Sequence, residues 1–222
     1  MSRILVINPN SNSAVTEGLD QALEPLRLAG GPAIDCTSLP DGPHGIESQR
    51  HIDAVALPLS RLVVQEESRT DAFVIACYGD PGIHVCREAT AKPVFGIAES
   101  GLLTALSRGE RFGVIAIAAP SIRRHLRYLR QLALDARLAG ERPLDMSVAE
   151  SASGADTLER MIGVGSDLRD RDGADVVIMG CAGMAKHRAP LEDALGIPVI
   201  DPTQAAVTLA LGTVMFSRAH SG

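Results

Sequence analysis

Asp71 to Gly82 reads D-A-F-V-I-A-C-Y-G-D-P-G, and Asp175 to Met184 reads D-V-V-I-M-G-C-A-G-M. Each stretch runs from an aspartate through apolar residues to a cysteine six positions on, then breaks into a glycine-bearing turn. A short continuous apolar run bounded by turn residues reads as a strand buried on both faces. Cys77 and Cys181 therefore stand at the carboxyl ends of buried strands, 104 residues apart. One thiol at the same place in each of two similar stretches implies a repeated architecture and a site with two sides.

Outward from these stretches, strand and helix signals alternate along the whole chain. Strands are expected at Arg3–Asn8, Ala33–Thr37, Phe73–Cys77, Val94–Ile97, Phe112–Ile117, Met146–Val148, Val176–Met179 and Val199–Ile200. Helical spacing of apolar residues follows Ser13, taken as an N-cap, and recurs over Ile52–Val64, Ile122–Leu134, Leu158–Leu168 and Ala205–Phe216; Pro58 predicts a kink in the second of these. Strand–helix alternation with continuous apolar strands implies α/β architecture with parallel sheets covered on both faces. The halves also align in order. Arg3-Ile-Leu-Val-Ile mirrors Arg111-Phe-Gly-Val-Ile, and Pro93-Val-Phe-Gly mirrors Pro198-Val-Ile-Asp, at offsets of 104 to 108 residues. The expectation is two pseudosymmetric parallel-sheet α/β domains. Residues 1–98 with 204–222 would form the first, carrying Cys77, and 99–203 the second, carrying Cys181. Ligands of open parallel sheets bind beyond the carboxyl ends of the strands, which puts the active site in the cleft between the domains.

Composition narrows the function. The 222 residues carry a net charge of −6, so no basic surface is offered to nucleic acid or an anionic membrane. With 3% aromatic residues and no Trp, stacking platforms for bases are not expected. The apolar run after Met1 is too short for a signal peptide, and none reaches membrane-spanning length. A cytoplasmic location and four reduced thiols follow as expectations. No metal is expected, since the six histidines lack a spacing such as H-E-x-x-H, and no glycine-rich nucleotide fingerprint occurs. His84 and His187 are the local partners for a cysteine hydrolase, but that chemistry leaves the second thiol unused. The cluster Arg123-Arg124-His125 through Arg130 reads as a solvated or subunit-facing helix surface.

Most free cysteines are small core residues, and Cys36 and Cys86 are read that way. Matched placement before glycine turns separates Cys77 and Cys181 from them as catalytic candidates. The turns themselves supply Tyr78, Gly79, Ala182 and Gly183, whose backbone N–H groups lie close to the sulfurs. The Asn8-Pro9-Asn10-Ser11 turn closes the first strand; Asn10 is the stronger candidate for ligand contact, since Asn8 could serve the turn alone. Ser48 is a further candidate at the cleft mouth.

Several of these segments together resemble one family. Ile7-Asn8-Pro9-Asn10-Ser11-Asn12, Cys77-Tyr78-Gly79-Asp80-Pro81-Gly82 and Gly180-Cys181-Ala182-Gly183-Met184 look like the aspartate/glutamate/hydantoin racemase superfamily, most closely its hydantoin and allantoin racemase branch. Gly42-Pro43 with Ile46-Glu47-Ser48, and Val199-Ile200-Asp201, extend the likeness over essentially the whole chain. The resemblance implies a cofactor-independent two-cysteine racemase or isomerase on two pseudosymmetric α/β domains. A homo-oligomer acting on a small molecule is also expected. The chain departs from the branch at Ala116-Ile117-Ala118-Ala119, where hydroxyl residues would be expected before Ser121, and at Lys186-His187, which could lower the pKa of Cys181.

The chemistry fits. Inverting a carbon stereocentre by proton transfer needs a base on one face and an acid on the other, and thiols can serve as both. A 5-substituted hydantoin or related ureide asks for amide-type partners, which Asn10 and the turns supply. The alternatives are an acidic amino-acid racemase, a cis–trans isomerase of a small diacid, a decarboxylase, and a non-catalytic small-molecule sensor on the same fold. The resembling decarboxylases need only one thiol, in the second-half position, so Cys77 argues against that alternative. No arginine is expected at a strand end, and the alanines from Ala116 to Ala119 are expected to wall the cleft.

Overall fold

The computed structural model describes residues 2–153 and 156–219. The first half holds strands β1 (Arg3–Asn8), β2 (Ala33–Ser38), β3 (Ala72–Ile75) and β4 (Val94–Gly96). The second holds β5 (Phe112–Ala116), β6 (Leu138–Pro143), β7 (Val176–Gly180) and β8 (Val199–Ile200). The sheets run β2-β1-β3-β4 and β6-β5-β7-β8, every pairing parallel, so the second repeats the first in order and direction. The central strands are apolar end to end because helices cover both faces: Ile4 to Ile7 and Val176 to Met179 are all buried. The two aspartates that open the matched stretches do the same work. Asp71 accepts the Arg3 N–H at 2.9 Å, and Asp175 accepts the Arg111 N–H at 3.0 Å, each pinning the start of the neighbouring strand.

The helices are α1 (Ser13–Ala22), α2 (Gln49–Glu66), α3 (Ile83–Ala89), α4 (Ile97–Leu106), α5 (Ala119–Gln131), α6 (Val148–Ser153), α7 (Thr157–Asp170), α8 (Arg188–Leu195) and α9 (Pro202–Ala219). Two of them cross between halves. Helix α4 follows the first sheet but packs on β5, β7 and β8, and α9 follows the second sheet but packs on β1, β3 and β4. The two also pack on each other, so the core runs through both halves.

Three local expectations are corrected. Asn12, not Ser13, caps α1, because its side chain accepts the Ala14 N–H. Pro58 does not break α2, which is continuous from Gln49 to Glu66. Its missing N–H orphans only the carbonyl of the exposed Ala54, where water can pair it, while Val55, Leu59 and Val63 hold the helix to the core. The strand expected at Met146–Val148 lies earlier, at Leu138–Pro143, and Val148 begins α6. Helices α4 and α8 lie outside the helical segments expected from spacing; α4 is buried around most of its circumference, and α8 is short, with Leu191 and Leu195 its only buried residues.

Candidate active site

Cys77 lies two residues past β3, and Cys181 directly follows β7. Both thiols line one narrow cleft between the carboxyl ends of the two sheets. Asn10, Tyr78, Ala182 and Gly183 line it with them, as do Gly180, Ser121, Arg124 and His125. Its apolar wall is Val15, Ile46, Ile52, Ala76, Ile117 and Val148.

The Asn8–Asn12 turn is a small hydrogen-bonded frame. Asn8 Nδ2 donates to Asn10 Oδ1 at 3.0 Å and to Thr16 Oγ1 at 3.0 Å, and Asn8 Oδ1 accepts the Asn10 N–H at 3.2 Å. Asn10 Oδ1 also accepts the Asn12 N–H at 2.9 Å. The frame consumes Asn8 and fixes which end of the Asn10 amide faces out: its oxygen is occupied, so its NH2 is the end offered to the cleft. Asn8 and Ser11 do not line the cleft; Asn8 is buried behind Asn10 and Ser11 is exposed. Ser48 does not line it either, because its hydroxyl accepts the His51 N–H at 3.1 Å and caps α2. Gly79, at φ 139°, faces an adjoining outer cavity.

The thiols sit in unequal surroundings. Burial pushes Cys77 well up from the ordinary thiol range, negative charge on Cys181 or Asp80 pushes it further, and Arg124 pulls it down. Burial also raises Cys181, against the Gly183 N–H and the Ser151 hydroxyl, whose oxygen is 3.9 Å from the sulfur. Lys186 is exposed and outside the cleft lining. Cys86 is fully buried on α3, and its thiol is pushed up to about 11 by burial; Cys36, half-buried on β2, is pushed up to about 12, chiefly by burial. Neither lines the cleft.

Helix α5 supplies what the sequence reading missed. Its basic cluster is not wholly a solvated surface: Arg123, Arg127 and Arg130 are exposed, but Arg124 lines the cleft and His125 is buried. His125 Nδ1 pairs with Glu141 Oε1 at 2.5 Å, with side-chain exposures of 6% and 1%, and the Tyr78 ring stands edge-on to His125 at 5.0 Å. Arg124 Nε is buried without a partner, and its NH1 donates to the Pro120 carbonyl at 3.2 Å. The wall expected from Ala116 to Ala119 is instead Ile117, since Ala116 is packed within β5 and Ala119 is exposed. The hydroxyl missing there is supplied by Ser121, one helical turn into α5. The signal was present: Ser121, His125 and Leu129 recur every four residues on the buried face of α5, and two of them are polar.

Asp80 ties the first thiol turn to the second half. It accepts the Ala98 and Glu99 N–H groups at 2.8 Å each and the Tyr128 hydroxyl at 3.0 Å. Burial raises its pKa to about 6 against those three donors. Directly after β8, at the start of α9, Asp201 accepts the Gln204 N–H at 2.7 Å, and burial raises it to about 6 as well. Two further bonds cross the mouth: Arg127 NH2 donates to Gln49 Oε1 at 2.8 Å, and the Val148 N–H donates to Glu47 Oε1 at 3.4 Å.

Residues 4–210 match the model of the Asp/Glu/Hydantoin racemase family. The chain belongs to this family. It is 36% identical over 212 residues to a hydantoin racemase of Paenarthrobacter aurescens, covering 94% of this chain and 89% of that one. A hydantoin racemase of Pseudomonas sp. strain NS671 is also 36% identical, covering 94% and 84%. Among solved structures, the allantoin racemase from Klebsiella pneumoniae superposes with a TM-score of 0.89 at 29% identity, covering 98% of this chain and 89% of that one. Within the family fold, two parallel sheets of identical strand order face each other across the cleft that holds both thiols.

Proposed function

We propose that the protein is a racemase of 5-substituted hydantoins or a related cyclic ureide, acting by proton transfer between two thiols. The observation that carries this is the pair itself: one cysteine from each sheet, both lining one small cleft. The thiolate on one face takes the proton from C5 of the ring. The C–H electron pair moves onto the adjacent carbonyl oxygen as an enolate, and the thiol on the other face delivers its proton to C5. The two sulfurs have then exchanged protonation states, ready for the opposite enantiomer.

The electrostatics support a single negative charge. Ionised Cys181 raises the pKa of Cys77, so two thiolates disfavour each other and one thiolate with one thiol is the favoured charged state. Burial raises both, so the working thiolate depends on help from Arg124 on one side and from Gly183 N–H and Ser151 on the other. The outward NH2 of Asn10 and the backbone of Ala182 and Gly183 are the donors available to ring carbonyls and the enolate. A neutral ring needs only such hydrogen bonds, whereas a zwitterionic amino acid also needs a carboxylate for its ammonium group. Of the buried carboxylates nearby, Asp80 is engaged by three donors; Glu141 and Asp201 each keep one oxygen without a partner, but neither lines the cleft. One observation favours a second reading, racemisation of an open-chain acidic amino acid: Arg124 could pair with a carboxylate.

The test is deuterium incorporation at the stereocentre in D2O, across hydantoins, amino acids and diacids with no added cofactor. Hydantoins are expected to exchange and racemise fastest. Cys77→Ala and Cys181→Ala should each lower racemisation by roughly 10³-fold or more while the fold persists, and each should retain exchange with one enantiomer at most. Cys86→Ala is the control with both cleft thiols intact. Racemisation at the wild-type rate in either cleft variant would falsify the two-thiol mechanism.

A further inference from the structure

The cysteine cleft does not end at the thiols. It adjoins a wider, open outer cavity of about 420 Å³, lined by Gln49, Gly79, Asp80, His84, Arg127 and Gln131 among others. Ile52, Arg124 and His125 line both spaces and so form the junction between them. The inner space is walled by isoleucines, valines and the two sulfurs; the outer one is walled mostly by amides and cationic or polar side chains.

At the junction the polar groups are mostly committed. His125 is paired with Glu141, Asp80 with three donors, and Arg127 with Gln49. Of the residues that line both spaces, Arg124 is the exception; Glu141, behind His125, keeps Oε2 without a partner but lines neither. The Arg124 Nε is buried without a partner, and among the described residues only its NH1 makes a hydrogen bond. A guanidinium donor left unpaired at the neck between two cavities is matched by an acceptor that a ligand brings in.

Resting on the ring-racemase reading above, we propose that Arg124 is a specificity-determining residue that reads the C5 side chain of the substrate. The substrates preferred are hydantoins whose side chain carries a carboxylate a few bonds from the ring. With the ring between the sulfurs, C5 already presents one face to each thiol and two bonds to the ring itself. In this proposal its remaining bond is directed to the junction, the side on which the cleft adjoins the outer cavity. A carboxylate on that bond reaches the free edge of Arg124 and accepts two parallel N–H bonds, the geometry a guanidinium favours. An alkyl side chain of the same length leaves Nε unpaired and places apolar surface against the outer cavity.

The decisive experiment compares 5-(2-carboxyethyl)hydantoin with its isosteric amide, 5-(2-carbamoylethyl)hydantoin, and with 5-butylhydantoin, by polarimetry on the purified protein. In the wild type, kcat/KM for the acid should exceed that for the amide by about tenfold or more, mostly through KM. In Arg124→Met that ratio should fall to near one, in Arg124→Lys it should be partly kept, and in Arg124→Glu an aminoalkyl side chain should become the preferred one. A wild-type ratio near one, or a ratio unchanged in Arg124→Met, overturns the inference. Because Arg124 also pulls down the pKa of Cys77, a loss common to acid and amide is expected in Arg124→Met beside the change in ratio, and an equal loss on both with the ratio kept overturns the inference. If neutral hydantoins racemise without preference for the acid, only this inference fails; if no hydantoin racemises, the ring-racemase reading fails first. Should Arg124→Met not fold, the wild-type ratio and Arg124→Lys decide.

Discussion

At the scale of single residues, the buried carboxylate of Asp80 makes a clear pH signature. Its pKa rises from an ordinary 3.8 to about 6 on folding because burial outweighs the three donors it accepts. The folded protein therefore holds the proton more tightly than the unfolded chain. That contribution to stability is full below pH 4 and is lost as pH rises through about 6, by an amount on the order of 2–3 kcal/mol. Asp80→Asn removes the titration but keeps a cap, so the gap in unfolding free energy between wild type and variant should shrink by about that amount from pH 4 to pH 7. Urea melts at several pH values measure it, and parallel curves for the two proteins would refute the account. Glu66 works in the opposite sense: Arg69 and Arg3 hold its pKa down, so its contribution is lost as pH falls, which is why the comparison is made against the variant and not on the wild type alone. The residues most legible in the sequence were the thiols, since a strand end followed by glycine is a backbone feature that local sequence dictates. Arg124 and His125 were illegible for a matching reason. Their inward direction depends on the face of α5 that the second sheet covers, and a run of arginines reads as solvated until that face is known.

At the scale of elements, β7 and its turn are built to tolerance. A Cβ on Gly180 would stand 2.6 Å from the Ile115 carbonyl oxygen of β5 and 3.1 Å from a Val114 methyl. Since backbone cannot yield as a side-chain tip can, Gly180→Ala should cost about 1–3 kcal/mol and shift the adjoining thiol. Activity should fall more than stability suggests, by roughly 10²-fold if Cys181 moves by about an ångström. Chemical melts and racemisation rates on the same preparation separate the two effects; unchanged activity would mean the turn has slack. The strands of the central pairs were legible because burial on both faces makes them apolar throughout. Edge strand β6 was not, because Leu138–Pro143 is half-buried and carries Gly140, Glu141, Arg142 and Pro143. Helix α4 hid for the converse reason: wedged between halves, it has no polar stripe to mark its period.

At the scale of the whole molecule, the duplicated order of the sheets was readable from three aligned segments, and the domain bounds expected from sequence, 1–98 with 204–222 and 99–203, already assign most of α9 to the first half and most of α4 to the second; what left no local mark is that α4 is a helix and that the two helices pack on each other. Their crossing between the halves predicts that the halves do not melt apart. Unfolding each sheet strips the other of a covering helix, so urea denaturation should give one transition, coincident by circular dichroism and by intrinsic tyrosine fluorescence. Two separated transitions would show that the crossing helices contribute little. The duplication is also imperfect where it matters: the first half offers an amide, Asn10, to the cleft, and the second a guanidinium, Arg124. A reaction whose product is the mirror image of its reactant has an equilibrium constant of one, so kcat/KM is bound to be equal from either direction. Unequal walls cannot tilt that balance. They can only divide it differently, so that whichever hand the uneven lining grips more tightly is, by the same factor, the one released to the other hand more slowly.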